Sequence, residues 1–353
     1  MNIGRWRAGT LKMMLCAGLL GHRSQAQTTI PEGGTIRVYA NLMQIPVLIL
    51  SQRHQSLPLI DATKFTVRLD TRQPFRPGVV RQQGDDPITL AILLDGSSPD
   101  ALLPLLLESL PVMADRQLTG RDRVAVYGMD GCKLRRFSTL VPASGFFVAD
   151  SVKRALAYLP YQPGMGRCDG PIGLWDAVDY LTGTLADEPG RRVVMAVTNG
   201  QDHGSSRVQA ETLRKDANHN GVAIFAVAER YRVPHLDPQL RHGDPGSKAG
   251  SWLQEITEGS GGMVIETTRN NLLYTFSRFV QLLRGRYIVE FPRPTGLSGG
   301  TSTISIACGQ PRAFIRPAGT SVPITDPVMR DLAVPHGPSP PGPTGSRSGA
   351  NAD

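Results

Sequence analysis

The stretch Ile88-Thr89-Leu90-Ala91-Ile92-Leu93-Leu94-Asp95-Gly96-Ser97-Ser98-Pro99 decides the fold. Its first seven residues are nearly all apolar, as expected for a strand covered on both faces. It then breaks into a short polar loop. A leucine-rich helix is predicted to follow at about 99 to 116. Val124 to Tyr127 reads as a second strand, and Lys133 to Ser138 as a hairpin partner. Asp150 is expected to cap a helix carrying Val152, Leu156 and Leu159. Leu174, Val178, Leu181 and Leu185 share one face of the next helix. Val193 to Val197 is another buried strand. Ser206 is expected to open a helix that runs to about Ala217, and Val222 to Val227 is the next strand. Trp252, Leu253 and Ile256 mark a short helix, Met263 to Ile265 a short strand, and Leu272 to Leu283 the last helix. Strands alternating with helices specify an α/β fold. The sheet is expected to be doubly wound and mostly parallel, with helices on both faces.

Both flanks carry β patterning. Thr35 to Leu50 alternates, with a phase slip near Met43-Gln44 that implies a bulge or a break between two strands. Phe65, Val67 and Leu69 alternate too, as do Tyr287, Val289 and Phe291, and then Ile304, Ile306 and Cys308. The expected organisation is a signal peptide at 1–26, an N-terminal β segment at 27–84 and the α/β domain at 85–285. A C-terminal β segment at 286–322 packs with the N-terminal one as an accessory β module, and a Pro/Gly-rich disordered tail occupies 323–353.

The 353 residues are 40% hydrophobic and 19% charged, which favours a packed core over disorder. The net charge of +8 is misleading as a nucleic-acid signal. Arg5, Arg7, Lys12 and Arg23 lie in the leader, and without these four the balance is +4. That leader has a basic region, an apolar stretch from Met13 to Leu20 and the small-residue site Ser24-Gln25-Ala26, the pattern of a secretory signal. The chain is therefore expected to be exported, to the periplasm or beyond the cell. No run of 18 apolar residues occurs, so no spanning helix is expected. Cleavage would remove Cys16 and leave Cys132, Cys168 and Cys308, with no CxxC pair to suggest zinc.

Three segments follow strand ends or open helices, where open α/β sheets bind ligands. They are Leu94 to Pro99, Gly170 to Ala177 and Thr198 to Ser205. In this order and spacing they resemble the von Willebrand factor type A (VWA) fold. More narrowly, the chain is similar to the secreted VWA-related proteins of acidobacteria. The likeness runs from about 35 to 320. It includes Ile36-Arg37-Val38, Leu174-Trp175-Asp176-Ala177, Arg192 to Gly200 and Gly285-Arg286-Tyr287.

The resemblance implies a metal-ion-dependent adhesion site built from Asp-x-Ser-x-Ser, a Thr and an Asp. Mg²⁺ wants six oxygens in octahedral array and uses few carboxylates with hydroxyls and waters. Mapped onto this chain, Asp95 and Ser97 hold the first two positions. Pro99 and Ile172 bring no side-chain oxygen, and Asn199 keeps an oxygen but loses the charge. The site is thus expected to be degenerate, with no cofactor. Any Mg²⁺ would fall to Asp95, Ser97 and Asn199. The bland reading of Asp95 and Ser97 is that they satisfy backbone donors. Ser98 and Asp202 are possible substitutes, and Asp202 is otherwise expected to cap the helix beginning near Ser205 or to shape its turn. The same resemblance places Cys132 and Cys168 near the carboxyl edge of the sheet. A disulfide there would close a loop of about 36 residues, worth about 2–4 kcal/mol.

Other constellations are weaker. There is no G-x-S-x-G elbow, P-loop or dinucleotide glycine pattern. His235, Asp237, His242 and Asp244 lie in a long loop that reads as a solvated insertion or, less simply, a metal site. The expected function is non-catalytic recognition of a protein or peptide, with no nucleic acid and no membrane span. The alternatives are metal-dependent adhesion at a rearranged Mg²⁺ site, or a serine hydrolase using Ser97 or Ser205 with His203.

Overall fold

The computed structural model describes residues 42–53, 55–96, 102–131, 133–159, 172–200, 202, 206–229, 248–292, 303–311 and 313–317. The signal, the tail and the 230–247 loop with His235, Asp237, His242 and Asp244 lie outside them. So do Ser97, Ser98, Pro99, Cys132, Cys168, His203 and Ser205.

The central sheet comprises β4 (Ile88–Asp95), β5 (Arg123–Met129), β6 (Leu134–Arg136), β7 (Val141–Pro142), β8 (Arg191–Val197), β9 (Val222–Glu229) and β10 (Val264–Thr267). Its order is β10-β9-β8-β4-β5-β6, with β7 also on β5. The pairs from β10 through to β5 are parallel, and β6 and β7 run antiparallel to β5. The order reverses between β4 and β8, which makes that gap the topological switch point.

The apolar run that opens the argument is buried along its whole length. Successive side chains serve opposite faces. Leu90, Ile92 and Leu94 join α1 (Leu106–Gln117), α2 (Gly145–Tyr158) and α6 (Leu272–Arg284) in one core. Ala91 and Leu93 join α3 (Leu174–Leu185), α4 (Ala210–His219) and α5 (Lys248–Gly259) in another. The expected α/β class with a mostly parallel, doubly covered sheet is what the chain builds.

Element boundaries moved where the cause is local. The helix expected from 99 is a 3-10 turn at Leu103–Leu105 followed by α1, because Pro104 suits a first turn and has no N–H to donate. Helix α2 begins at Gly145, so Asp150 is not its cap; it stands inside the helix and pairs with Arg154 at 3.0 Å. The cap comes from α1, where Asp115 Oδ1 accepts from Gly145 N at 2.5 Å. Helix α4 starts at Ala210 and not at Ser206, which is occupied elsewhere.

A second sheet joins residues far apart in sequence. Its order is β13 (Phe314–Pro317), β1 (Leu42–Leu50), β11 (Tyr287–Pro292) and β3 (Val79–Gln82), all antiparallel. Strand β1 is continuous with β11 from Leu42 to Val47, so no break follows Met43-Gln44. Pro46, which has no N–H, stands just before the β13 pairing that starts at Val47. Ile45, Val47 and Ile49 face a third core with Val67, Leu69, Val289, Phe291 and Ile306, while Leu48 and Leu50 join the core of α1 and α6. Strands β2 (Thr66–Leu69) and β12 (Ile304–Ala307) form an antiparallel pair in that third core. Cys308 is a buried free thiol just past β12. No helix among the described residues is long and apolar enough to cross a membrane.

Candidate functional site

Strands β4 and β8 end side by side at the switch point. Asp95, the last residue of β4, is 1% exposed. Its Oδ2 accepts a hydrogen bond from Thr198 Oγ1 at 2.5 Å. Thr198 is fully buried and its Oγ1 in turn accepts from Gly200 N at 3.0 Å. The two central strands are thus tied by a carboxylate–hydroxyl bond under the surface. Gly200 adopts φ +78, a left-handed conformation that favours glycine and turns the chain so that its N–H meets that hydroxyl. Asn199, the position that the sequence singled out, is buried beside this bond at 4% exposure.

Among the described residues, the ends of β4 and β5 are covered by packing. A methyl group at Gly96 would stand 3.0 Å from Leu159 Cβ, and one at Gly128 would stand 3.1 Å from Leu159 Cδ1. Leu159 therefore roofs the ends of β4 and β5. Beside it Arg135 lies 3.9 Å above the Tyr158 ring. Burial, and then the hydrogen bond to Asp130, raises the Tyr158 phenol above its ordinary value.

The start of α3 is the second part of the site. Helix N-termini offer unpaired N–H groups and a partial positive charge to anions. Here both are taken by the chain itself. Asp202 Oδ1 accepts from Leu174 N at 2.7 Å, and Ser206 Oγ accepts from Trp175 N at 3.0 Å. Ser206 also donates to Asp202 from both its hydroxyl and its N–H. Asp202 thus caps α3 from across the crest and also shapes the turn to Ser206; the helix it was expected to cap starts later, at Ala210. Gly173 makes this approach possible, since a methyl there would fall 2.0 Å from Ser206 Oγ. Asp176 completes the clamp by accepting from Arg207 N and Val208 N, each at 2.9 Å through Oδ1. Ile172 packs its side chain against the core below α3.

The described residues do not fit a magnesium ion. Asp95 is buried against Thr198, Asp202 is taken up by Leu174 N and Ser206, Asn199 is neutral and Ile172 is apolar. Among the described residues no group of three or more His, Cys, Asp or Glu side chains could hold a metal. Thr198 is the crest residue that the sequence placed in the third segment without singling it out. It was legible only as the first polar residue after a buried strand, and its partner is 103 positions away.

Fold and crest together define a class: α/β proteins with a doubly wound sheet and a polar crest at the switch point. No family model matches the chain and no curated protein matches it. Among solved structures it is similar to proximal thread matrix protein 1 from the mussel byssus. That protein is 16% identical, with 61% of this chain and 51% of that chain covered and a TM-score of 0.42. A second crystal form of the same protein gives 16% identity, 61% and 49% coverage and 0.41. The N-terminal domain of TFIIH p34 is 14% identical, with 56% of this chain and 100% of that domain covered and a TM-score of 0.38. The chain spans about half the length of the mussel protein. Likenesses this distant assign neither a family nor an activity.

Proposed function

We propose that this chain is an exported, non-catalytic binding module of VWA type that grips a protein or peptide partner at the β4–β8 crest without a metal ion. The observation that carries the reading is the Asp95–Thr198 bond at 2.5 Å. The residue that the VWA resemblance assigns to the cation is instead buried and satisfied by a hydroxyl from the neighbouring strand. The self-capped start of α3 supports the same reading, because Asp202 and Ser206 occupy the Leu174 and Trp175 N–H groups that an incoming carboxylate would need. A crest wired in this way is preorganised, so a partner would lose little of its binding free energy to ordering it.

The test is equilibrium dialysis of the purified mature chain against Mg²⁺ and Mn²⁺, paired with affinity capture from the native envelope with and without chelator. We expect no micromolar metal binding and a captured partner that chelator does not release. Micromolar binding lost in Asp95→Ala, with chelator-sensitive capture, would establish metal-dependent adhesion in its place. Covalent labelling by a broad serine-hydrolase probe would overturn the non-catalytic part.

A further inference from the structure

The free edge of the central sheet at β6 is a surface separate from the crest at β4 and β8. Strand β6 pairs with β5, and among the described residues nothing pairs with its outer side. The register fixes what that side offers. Asp130 N donates to the Lys133 carbonyl at 3.3 Å, and Phe137 N donates to the Val126 carbonyl at 2.8 Å. Lys133, Arg135 and Phe137 therefore turn their backbone groups toward β5. Direction alternates along an antiparallel ladder. Leu134 and Arg136 accordingly turn their N–H and C=O groups outward.

Positive side chains flank those outward groups. Lys133, Arg135 and Arg136 are all exposed. Arg135 stands on the α2 face of the sheet, over the Tyr158 ring. Arg136 stands on the α3 face, opposite Tyr127 on β5, and donates to its hydroxyl. Each guanidinium is thus steadied by a neutral phenol that leaves its charge uncancelled. Between Arg123 and Pro142 the bases are Arg123, Lys133, Arg135 and Arg136, and the acid is Asp130. Glu188 pairs with Arg123 at 2.6 Å, and Asp150 on α2 pairs with Arg154 at 3.0 Å. Lys133, Arg135 and Arg136 less Asp130 leave +2 on the hairpin. Charge on a free edge also guards against aggregation, but a guard needs only solvated charge. Here each arginine is seated on a tyrosine, one on either face.

We propose that β6 takes up an acidic, extended segment of a partner protein as an added strand. The outward groups of Leu134 and Arg136 supply the main-chain pairing, and the flanking side chains set the choice of segment. Successive side chains of a strand alternate between faces. Two consecutive carboxylates therefore suit this edge, one opposite Arg135 on the α2 face and the next opposite Arg136 on the α3 face. Opposite charges placed across neighbouring strands attract.

Fluorescence anisotropy of the full chain at low salt tests this with a labelled peptide of β-branched residues around a central Glu-Glu pair. The peptide should bind with a Kd below about 1 mM. Exchanging Glu-Glu for Gln-Gln should weaken binding by about tenfold. Arg135→Gln and Arg136→Gln should each weaken it by about two- to fivefold, the worth of an exposed ion pair. N-methylation of alternate peptide residues should abolish binding in one phase, where the methyl groups face β6, and spare it in the other. That readout needs no variant of the protein. No saturable binding, equal binding of the Gln-Gln peptide, unchanged affinity in both arginine variants, or equal binding of the two methylated phases would each overturn the proposal.

Discussion

Asp95 and Thr198 are both out of solvent, and their bond spans the seam between the two strands that end at the switch point. Removing one partner of a buried charge-assisted bond costs the desolvation of the other. Thr198→Val keeps the shape and deletes the hydroxyl, so it should lower unfolding free energy by about 1–3 kcal/mol. A urea titration in which the variant matches the parent would show that the bond contributes nothing. The sequence named Asp95 through a family pattern and passed over Thr198, because nothing local marks a hydroxyl whose acceptor lies on another strand. Asp179 carries a different lesson. Burial, and then the charges of Asp216 and Asp176, raises its carboxyl above 3.8. The folded state therefore binds that proton more tightly than the unfolded chain does. The ionised group opposes folding above its folded pKa and has no effect below 3.8. Asp179→Asn should raise the urea midpoint at pH 7, and the advantage should shrink as pH falls toward 3.8. The same advantage at both ends of that range would remove the assignment.

Among the elements, helix starts show where reading by sequence stops. Local rules look for a cap just ahead of the helix, and they selected Asp150 for α2. The structure begins α2 at Gly145 and caps it with Asp115, thirty positions earlier on α1. Gly145 leaves room for it, since a methyl there would meet Asp115 Oδ2 at 2.2 Å. Helix α3 repeats the device with Asp202 and Ser206. Asp115→Ala should therefore cost about 1 kcal/mol, as the loss of an N-cap does. Asp150→Ala should cost less than about 0.5 kcal/mol, as exposed ion pairs of i,i+4 spacing do. Guanidinium unfolding of the two variants ranks them, and the reverse order would return the cap to Asp150. The helix faces themselves were legible: Leu174, Val178, Leu181 and Leu185 are all buried, as their spacing requires.

Across the whole molecule, alternation of apolar runs with amphipathic helices was enough to specify a parallel-rich sheet covered on both sides. That pattern is dictated within each segment, by which side chains must leave water. It does not say which strands are neighbours. The pairing of β1 with β11 and β13 joins the two ends of the described chain, and it places Leu48 and Leu50 against the core of α1 and α6. The burial of Arg191 and Arg286 is of the same kind, because nothing local in the sequence marks an arginine that the fold takes out of solvent. The sequence by itself determined the fold class and the covered strands, since these depend on the composition and period of single segments. The tertiary structure alone decided that Thr198 satisfies Asp95, that Asp202 closes α3, and that Arg191 is buried among backbone carbonyls. Hydrogen bonds and charges act between atoms that the fold brings together, and separation along the chain leaves no local trace of them.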